Sequence, residues 1–521
     1  MSGAPLSNAE QERIQRALAE YISSPEVPPD IVSRAGFREF LECLNPQFKP
    51  NFKMIGGDFL KIYVERKVAV KEFLGKFDGM ISLSVDILKH ENPRKDVCAA
   101  DYLCLSAHFV DENWKLKKWV LHFRALLLLE DLGSPSGVLH DDDDWGVFRS
   151  LEDFGIENKI STLSMINDDC YDQLVGCVKN HIQEKKGLQL NDQLFRVHCF
   201  EEMIATMIQG AFHKIDDVID KLSSLCGFVS ITPVWNVTNS HLKEALELWS
   251  SGEYSSVDND FYDVPTPEEW KKVEGVCRIV DSIYEVSNAL FQAKHQTTNV
   301  YLYHLHELHE ILTQASVDSD TFVKAVVEGM LKAFDRYWDK MFLLLAISAA
   351  LDPRFKMKYV EFACSKVKGV DGSSQAAGVL GAFNKLFDEY ALRFSEKVNS
   401  TSGSSASASA SGSEGATPRH VNHTFSVLQD YEKITQLNGY LEEPALPWSK
   451  DFDVLAWWTT AGAKYPILSK IARDFLAIPV MLASSHQAFY TGPRPANGRM
   501  VGLKPNSLNA FMCTQSWCPR Q

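Results

Sequence analysis

ISLSVDIL (81–88), DYLCLSAHFV (101–110) and WKLKKWVLHFRALL (114–127) follow one another along the chain, and each alternates apolar with polar residues or runs apolar. A period of two belongs to extended backbone, because successive side chains of a strand point to opposite faces. Asp111-Glu112-Asn113 is a turn of hairpin length. The three runs therefore predict an antiparallel meander. Downstream the period switches repeatedly: a helix over Val147–Phe154, a strand ISTLSMI at 160–166, a helix over 170–185, a strand FRVHCF at 195–200 and a long helix over 201–224. Upstream the pattern is helical, over Ala9–Tyr21, around Ile31, Phe37, Phe40 and Leu41, and over Phe59–Glu65.

Three antiparallel strands followed by alternating helices and strands is the order of a ribonuclease-H-like fold. Beyond it, residues 240–395 read as helices throughout. The 3.6-residue period is plain in Val276–Leu290 and in YLYHLHELHEIL at 301–312, where Tyr301, Leu305, Leu308 and Leu312 share a face. FDRYWDKMFLLLAISAALDPRFK at 334–356 ends at Asp352-Pro353 with a basic, aromatic exit. NSTSGSSASASASGSEGA at 399–416 cannot bury a core and reads as a flexible tether, roughly 20–25 Å end to end as a coil. After it, Phe452, Val454, Leu455, Trp457 and Trp458 form an apolar cluster, and Leu468, Ile471, Ala472, Phe475 and Leu476 repeat at helical spacing between Pro466 and Pro479. Two adjacent tryptophans exceed what so short a segment can bury by itself. Two readings stay open: a C-terminal core element packed on the rest of its domain, or a surface that buries its aromatics against a second chain, where Trp is over-represented.

Composition narrows the function. A chain of 521 residues holds two or three domains with a large core. Its 45% hydrophobic and 23% charged residues are ordinary for a soluble globular protein. A net charge of −15 excludes nucleic-acid binding over the whole surface, which needs clustered Lys and Arg, but leaves room for a local basic face. The 11 cysteines are scattered without a Cys-x-x-Cys spacing, so no zinc finger or disulfide framework is legible and free thiols in a reducing compartment are expected. The polar, acidic N-terminal residues do not form a secretory leader. Apolar runs near Ala125–Leu129 and Met341–Leu351 are too short to span a bilayer, and no Lys/Arg-rich nuclear import cluster stands out.

The C-terminal stretch also carries an ordered set of phrases: LEEP at 441–444, DFDVLAWW at 451–458, YPILSKIARD at 465–474 and AIP at 477–479. This series resembles the C-terminal dimerisation region of hAT-family transposases, especially the plant Ricesleeper/Daysleeper type. GFREFLECLNPQFK at 36–49 resembles the segment that follows the zinc finger in the same family, and the phrase at 334–356 resembles part of its large helical domain. The resemblance implies a ribonuclease-H-like fold interrupted by a large helical insertion, α/β plus all-α, with a C-terminal dimerisation region. The expected division is a helical segment at 1–75, a ribonuclease-H-like core at 76–230, the helical insertion at 231–398, a low-complexity linker at 399–418 and the dimerisation region at 419–521. The family's finger would lie upstream of these segments, and no finger pattern is legible here.

Enzymes of this family hold two divalent metals, about 3.5–4 Å apart, on two aspartates and one glutamate. Magnesium and manganese require hard oxygen ligands, so side-chain identity at these positions decides the chemistry. SVDILK keeps Asp86 at the first position, with Leu88 where the family has Trp. MINDD places Ile166 at the second and keeps Asn167 after it. SSHQAF places His486 at the third, with Phe489 and Gly492 retained. Isoleucine cannot ligate a metal, and histidine replaces a hard anion with a neutral nitrogen better suited to zinc. Sliding Asp168 or Asp169 into the place of Ile166 would shift the carboxylate by roughly 6–7 Å. Two further family phrases are altered: the expected Cys-x-x-His reads Cys199-Phe200-Glu201-Glu202, and Arg-Trp-Asn reads Val234-Trp235-Asn236.

Other chemistry is sparse. His304, His306 and His309 lack a Cys or carboxylate completing a zinc set in sequence, and Asp141–Asp144 lacks the glycine and distal Glu of a calcium loop. No phosphate-cradling glycine motif or nucleophile elbow is present. ALDPRFKMKYV (350–360) and HFRALL (122–127), the latter with Lys115, Lys117 and Lys118, are the best local candidates for phosphate contact; ordinary helix-end and strand charges account for them as well. The expectation is a transposase-derived nuclear protein, not an enzyme, with no metal or cofactor and no membrane segment. It would act as a homodimer, with DNA a weaker partner. Its interface would run through Trp457, Trp458, Tyr465, Leu468, Ile471, Phe475 and Phe489. The competing readings are an active transposase with a rebuilt metal site and a decayed element without a selected role.

Overall fold

The computed structural model describes all residues except 1–5, 23, 25–26, 28–30, 32–33, 52–54, 89–99, 128–145, 167–171, 233–234, 257–262, 292–296, 403–435, 483–504 and 518–521. Its contacts divide the chain into two compact units. Residues 1–197 with 477–521 form a sheet unit, and residues 198–476 form a helical unit.

The sheet unit is built on five strands, β1 (Ile81–Leu88), β2 (Ala100–Val110), β3 (Leu116–Leu127), β4 (Ile160–Met165) and β5 (Arg196–His198), in the order β3-β2-β1-β4-β5. β1 to β3 are the expected antiparallel meander, and β4 joins β1 in parallel. A parallel partner requires a crossover connection, which α4 (Val147–Phe154) supplies between β3 and β4. The hairpin between β2 and β3 is closed by Asp111, whose carboxylate accepts from the backbone N–H of Asn113 (3.0 Å) and Lys115 (2.9 Å). Leu83, Val85, Leu103, Leu105 and Leu163 are fully buried, and α1 (Asn8–Ile22), α3 (Ile55–Lys76), α4 and α5 (Asp172–Lys185) add apolar residues to the same core. α2 spans Ala35–Leu44.

The sheet unit is completed from the other end of the chain. The last described helix, Pro505–Ser516, packs against α3 and β3. It treats β3 as the exposed sheet edge that it is: Ser516 Oγ accepts from Val120 N and Asn509 Oδ1 accepts from Phe123 N, each at 2.9 Å. Edge N–H groups are thereby occupied by side chains instead of a further strand.

The helical unit runs α6 (Phe200–Phe212), α7 (Asp216–Cys226), α8 (Trp235–Ser250), α9 (Pro267–Phe291), α10 (Tyr301–Ser316), α11 (Thr321–Ala350), α12 (Lys356–Lys368) and α13 (Gly372–Ser402). It then takes in α14 (436–442), α15 (Val454–Ala461) and α16 (Pro466–Leu476). The Pro505–Ser516 helix is α17. The expected boundary at 230/231 thus falls instead at 197/198, because α6 packs on α9 and α11 rather than within the sheet unit. The C-terminal block does not form a unit of its own: 436–476 belongs with the helices and 477–517 with the sheet. The helix expected over 201–224 is broken by a 3-10 turn at His213–Ile215. Among the described residues no helix is long and apolar enough to cross a membrane.

Candidate functional site

Asp86 sits near the end of β1, 1% exposed, opposite Cys104 of β2. The parallel register of β1 and β4 ends with Val85 beside Met165. One step further along both strands lie Asp86 and Ile166. The fold therefore brings together the first two of the three family positions. At the second, the side chain is hydrocarbon, and it packs against the sheet unit's apolar core. A pair of divalent cations needs oxygen donors on both sides, and Ile166 offers none. Asn167, Asp168, Asp169, His486, Phe489 and Gly492 lie outside the described residues.

The face that carries Asp86 is polar although buried. Ser82, Ser84 and Asp86 alternate along β1, with His108, Ser106 and Cys104 opposite them on β2. Ser84 Oγ and His108 Nε2 are 2.8 Å apart. Burial, reinforced by Lys118, holds the His108 imidazole well below its ordinary pKa and therefore neutral. Burial likewise pushes the Cys104 thiol up to about 11. On β4, Ser164 Oγ donates to the carbonyl of Pro479 at 2.6 Å, which fixes the AIP phrase on the strand that leads to Ile166.

The tryptophan block occupies the C-terminal end of α11. That helix stops at Ala350, where its last carbonyls have no partner within the helix. Trp458 Nε1 donates to Leu351 O at 3.0 Å and Tyr440 Oη donates to Ala350 O at 3.1 Å. Leu446 N donates to Pro353 O at 2.9 Å. Arg354 holds the buried Asp352 through Nε and Nη2 of one guanidinium edge (3.0 and 2.7 Å), and Asn299 Nδ2 reaches the same carboxylate at 2.6 Å. Arg354 Nη1 then donates to Ser449 O (2.6 Å), while Lys356 Nζ donates to the carbonyls of Tyr440 (2.6 Å) and Glu443 (2.8 Å). The basic residues at 354 and 356 are thus buried fasteners, not phosphate contacts.

The same packing revises the expected interface. Trp458, Tyr465, Leu468, Ile471 and Phe475 are at most 4% exposed within a single helical unit, so they form its core and offer no surface to a second chain. The reason is the end of α11, a partner about a hundred residues away in sequence that uses the indole N–H and Tyr440 as caps. Trp457 is half-buried against Tyr440 and Trp458. Leu446 and Trp448 remain exposed. Trp448 lies over Tyr303 (5.0 Å, nearly parallel) and the Arg354 guanidinium (4.7 Å).

The histidines of α10 do not gather around a common point. His304 pairs with Glu307 at 3.1 Å, His306 lies against Tyr359 and Phe362, and His309 lies against Phe334. One set that the sequence did not reveal, because its members are far apart along the chain, is Glu152, Glu157 and His181. Their ligating atoms lie within 4.8 Å of one another. Lys185 already stands 3.3 Å from Glu157, however, and His181 is engaged with it at 2.7 Å. Asp141–Asp144 lies outside the described residues. The two altered family phrases meet in the helical unit: Trp235 Nε1 donates to Glu201 Oε1 (3.3 Å) and Ser287 Oγ to Glu201 Oε2 (2.8 Å). Burial raises the Glu201 pKa to about 7.

Comparison with known proteins agrees with this architecture. Residues 436–518 match the hAT family C-terminal dimerisation region, 299–390 match the family described as hAT-like transposase, RNase-H fold, and 97–194 match the ZBED1 RNase-like domain. The last match covers β2 to β4, whereas 299–390 here holds helices joined by short turns and no strand. Zinc finger BED domain-containing protein RICESLEEPER 2 of rice (Oryza sativa subsp. japonica) is 26% identical over 98% of this chain and 74% of that protein. RICESLEEPER 4 of rice is 27% identical over 98% of the chain and 80% of that protein. DAYSLEEPER of Arabidopsis thaliana is 25% identical over 99% and 75%. Similarity along nearly the whole length, with the hAT dimerisation region and a hAT-like transposase segment inside it, relates this chain to the hAT transposases and to the Ricesleeper and Daysleeper proteins.

Proposed function

We propose that the chain is a transposase-derived nuclear protein that no longer cuts DNA and acts by self-association and contact with DNA. The observation that supports loss of catalysis is the hydrocarbon side chain of Ile166 beside Asp86, where the metal pair of a strand-cutting enzyme needs a second carboxylate. The test is nicking of plasmid and duplex oligonucleotides with magnesium or manganese. The expected result is no cleavage above that of Asp86→Ala; metal-dependent cleavage that Asp86→Ala abolishes would establish the active-enzyme reading instead.

Self-association draws support from the matched dimerisation region. With most of that region's apolar side chains spent on the helical core, its exposed large apolar residues among those described are Leu446 and Trp448. Trp448 is held flat on Tyr303 and Arg354, so an outward face is presented with little side-chain entropy to lose, and Trp is the residue most enriched at interface hot spots. The occupant is a second copy of the chain. Light scattering should give a dimer mass for the wild type and a monomer for Leu446→Ala with Trp448→Ala at unchanged melting temperature. A stable wild-type monomer would sink this part of the reading.

A further inference from the structure

Trp448 stands at one end of a line of rings on the helical unit. Next to it is Tyr303 of α10, then Tyr359 of α12 with centroids 6.3 Å apart, then Phe362, 6.1 Å beyond. Tyr303 and Tyr359 are half-buried, whereas Trp448 and Phe362 at the two ends are 53% and 45% exposed. The line therefore starts in the matched dimerisation region and runs on outside it. A continuous apolar strip of this kind, unlike scattered surface residues, marks a place where another surface sits.

The charges beside the strip are sorted by helix. Tyr303, His306, Glu307 and Glu310 share one face of α10 at spacings of three and four. Glu307 lies 3.1 Å from His304 and Glu310 lies 3.6 Å from His306. Both carboxylates bear on the rings: burial first, and then nearby charge that includes both glutamates, raises the hydroxyl pKa of Tyr303 and of Tyr359. On α12, Lys358 and Lys366 are exposed one turn to either side of Phe362, and Lys366 Nζ is 5.6 Å from the Phe362 centroid. Glu361 is exposed as well, but on the side of α12 away from Tyr359. The strip thus carries carboxylates along one flank and ammonium groups along the other.

We propose that this strip is the second half of the self-association surface, where two copies of the chain meet about a two-fold axis near Phe362. The inference rests on the self-association through Trp448 proposed above. α10 and α12 run in parallel, since Tyr303 meets Phe355 and Tyr359 while His306, further along, meets Tyr359 and Phe362. A two-fold rotation between them lays α10 of each copy over α12 of the other. Glu307 and Glu310 then come against the partner's Lys358 and Lys366. A wholly basic or wholly acidic peptide is the poorer occupant, because either sets like charges together along one flank. Exposed ion pairs add little affinity, but they fix register, and like charges placed opposite one another are strongly unfavourable.

Sedimentation equilibrium of the full chain measures dimerisation of wild type, of Glu307→Lys with Glu310→Lys, and of Lys358→Glu with Lys366→Glu. Each double variant should dimerise roughly tenfold or more weakly than wild type, since each sets like charges against like. An equimolar mixture of the two should recover nearly wild-type affinity as a mixed dimer, because the exchanged charges then meet with opposite sign. Such recovery cannot come from misfolding. A wild-type dimer that both variants leave unchanged overturns the strip while self-association through Trp448 stands. Two weakened variants whose mixture stays weak overturn the two-fold pairing. A monomeric wild type overturns both readings and leaves the strip to a different protein.

Discussion

A carboxyl group that is 2% exposed and met only by a hydroxyl and an indole N–H keeps its proton longer than one in water, and Glu201 is in that position. Its pKa of about 7 in the folded chain lies above the ordinary value of 4.5. Between those two values the folded state holds a proton that the unfolded state has released, so this group's stabilisation is complete below about pH 4.5 and is lost as pH rises through 7. Glu201→Gln should therefore melt close to wild type at pH 5 and higher at pH 8, by an amount on the order of 3 kcal/mol. Calorimetry across that range checks it; a pH-independent difference would show that Glu201 does not titrate there. Sequence reading reached Glu201 and Trp235 only as altered phrases, because their contact depends on helices separated by 34 positions. Asp86 and Ile166 are legible together because the family resemblance marks both positions, each at the end of a strand that the period-two pattern reveals.

At the scale of elements, periodicity locates the five strands and the helix at Val147–Phe154, and marks 240–395 as helical without dividing it into its helices. It did not reveal what the elements rest on. Trp458 was open between core and interface, since nothing local states that α11 ends with free carbonyls where the indole arrives. Trp458→Phe keeps most of the apolar area but leaves Leu351 O without its donor, at a cost of about 1–3 kcal/mol. Trp458→Ala adds a cavity and should cost about 3–5 kcal/mol. Denaturant melts of the two variants should rank in that order while the wild-type m-value is retained; a Trp458→Phe variant as stable as wild type would mean that the N–H cap contributes nothing. The role of α17 is not legible in the helical spacing of Leu508, Phe511 and Met512, because it depends on a strand edge almost four hundred residues earlier.

For the whole molecule, the two units predict different fates on dissection. Residues 198–476 contain every helix of their own unit and should fold as a helical fragment with a cooperative melt. Truncation after residue 504 removes α17, uncovers the N–H groups of Val120 and Phe123 on β3, and should yield aggregating protein. Circular dichroism and sedimentation of the two fragments check this; a soluble, monodisperse 1–504 would show that α17 is dispensable.

The Ser516 and Asn509 contacts to β3 also set a schedule for the ribosome. About 380 residues separate Leu127 from Pro505, and at ordinary synthesis rates their translation takes roughly 20–75 s. Through most of that interval the nascent chain has all five strands but no cover for the outer one, because the helix that seals it has not yet been made. Folding chaperones would be needed at this stage, well before synthesis ends.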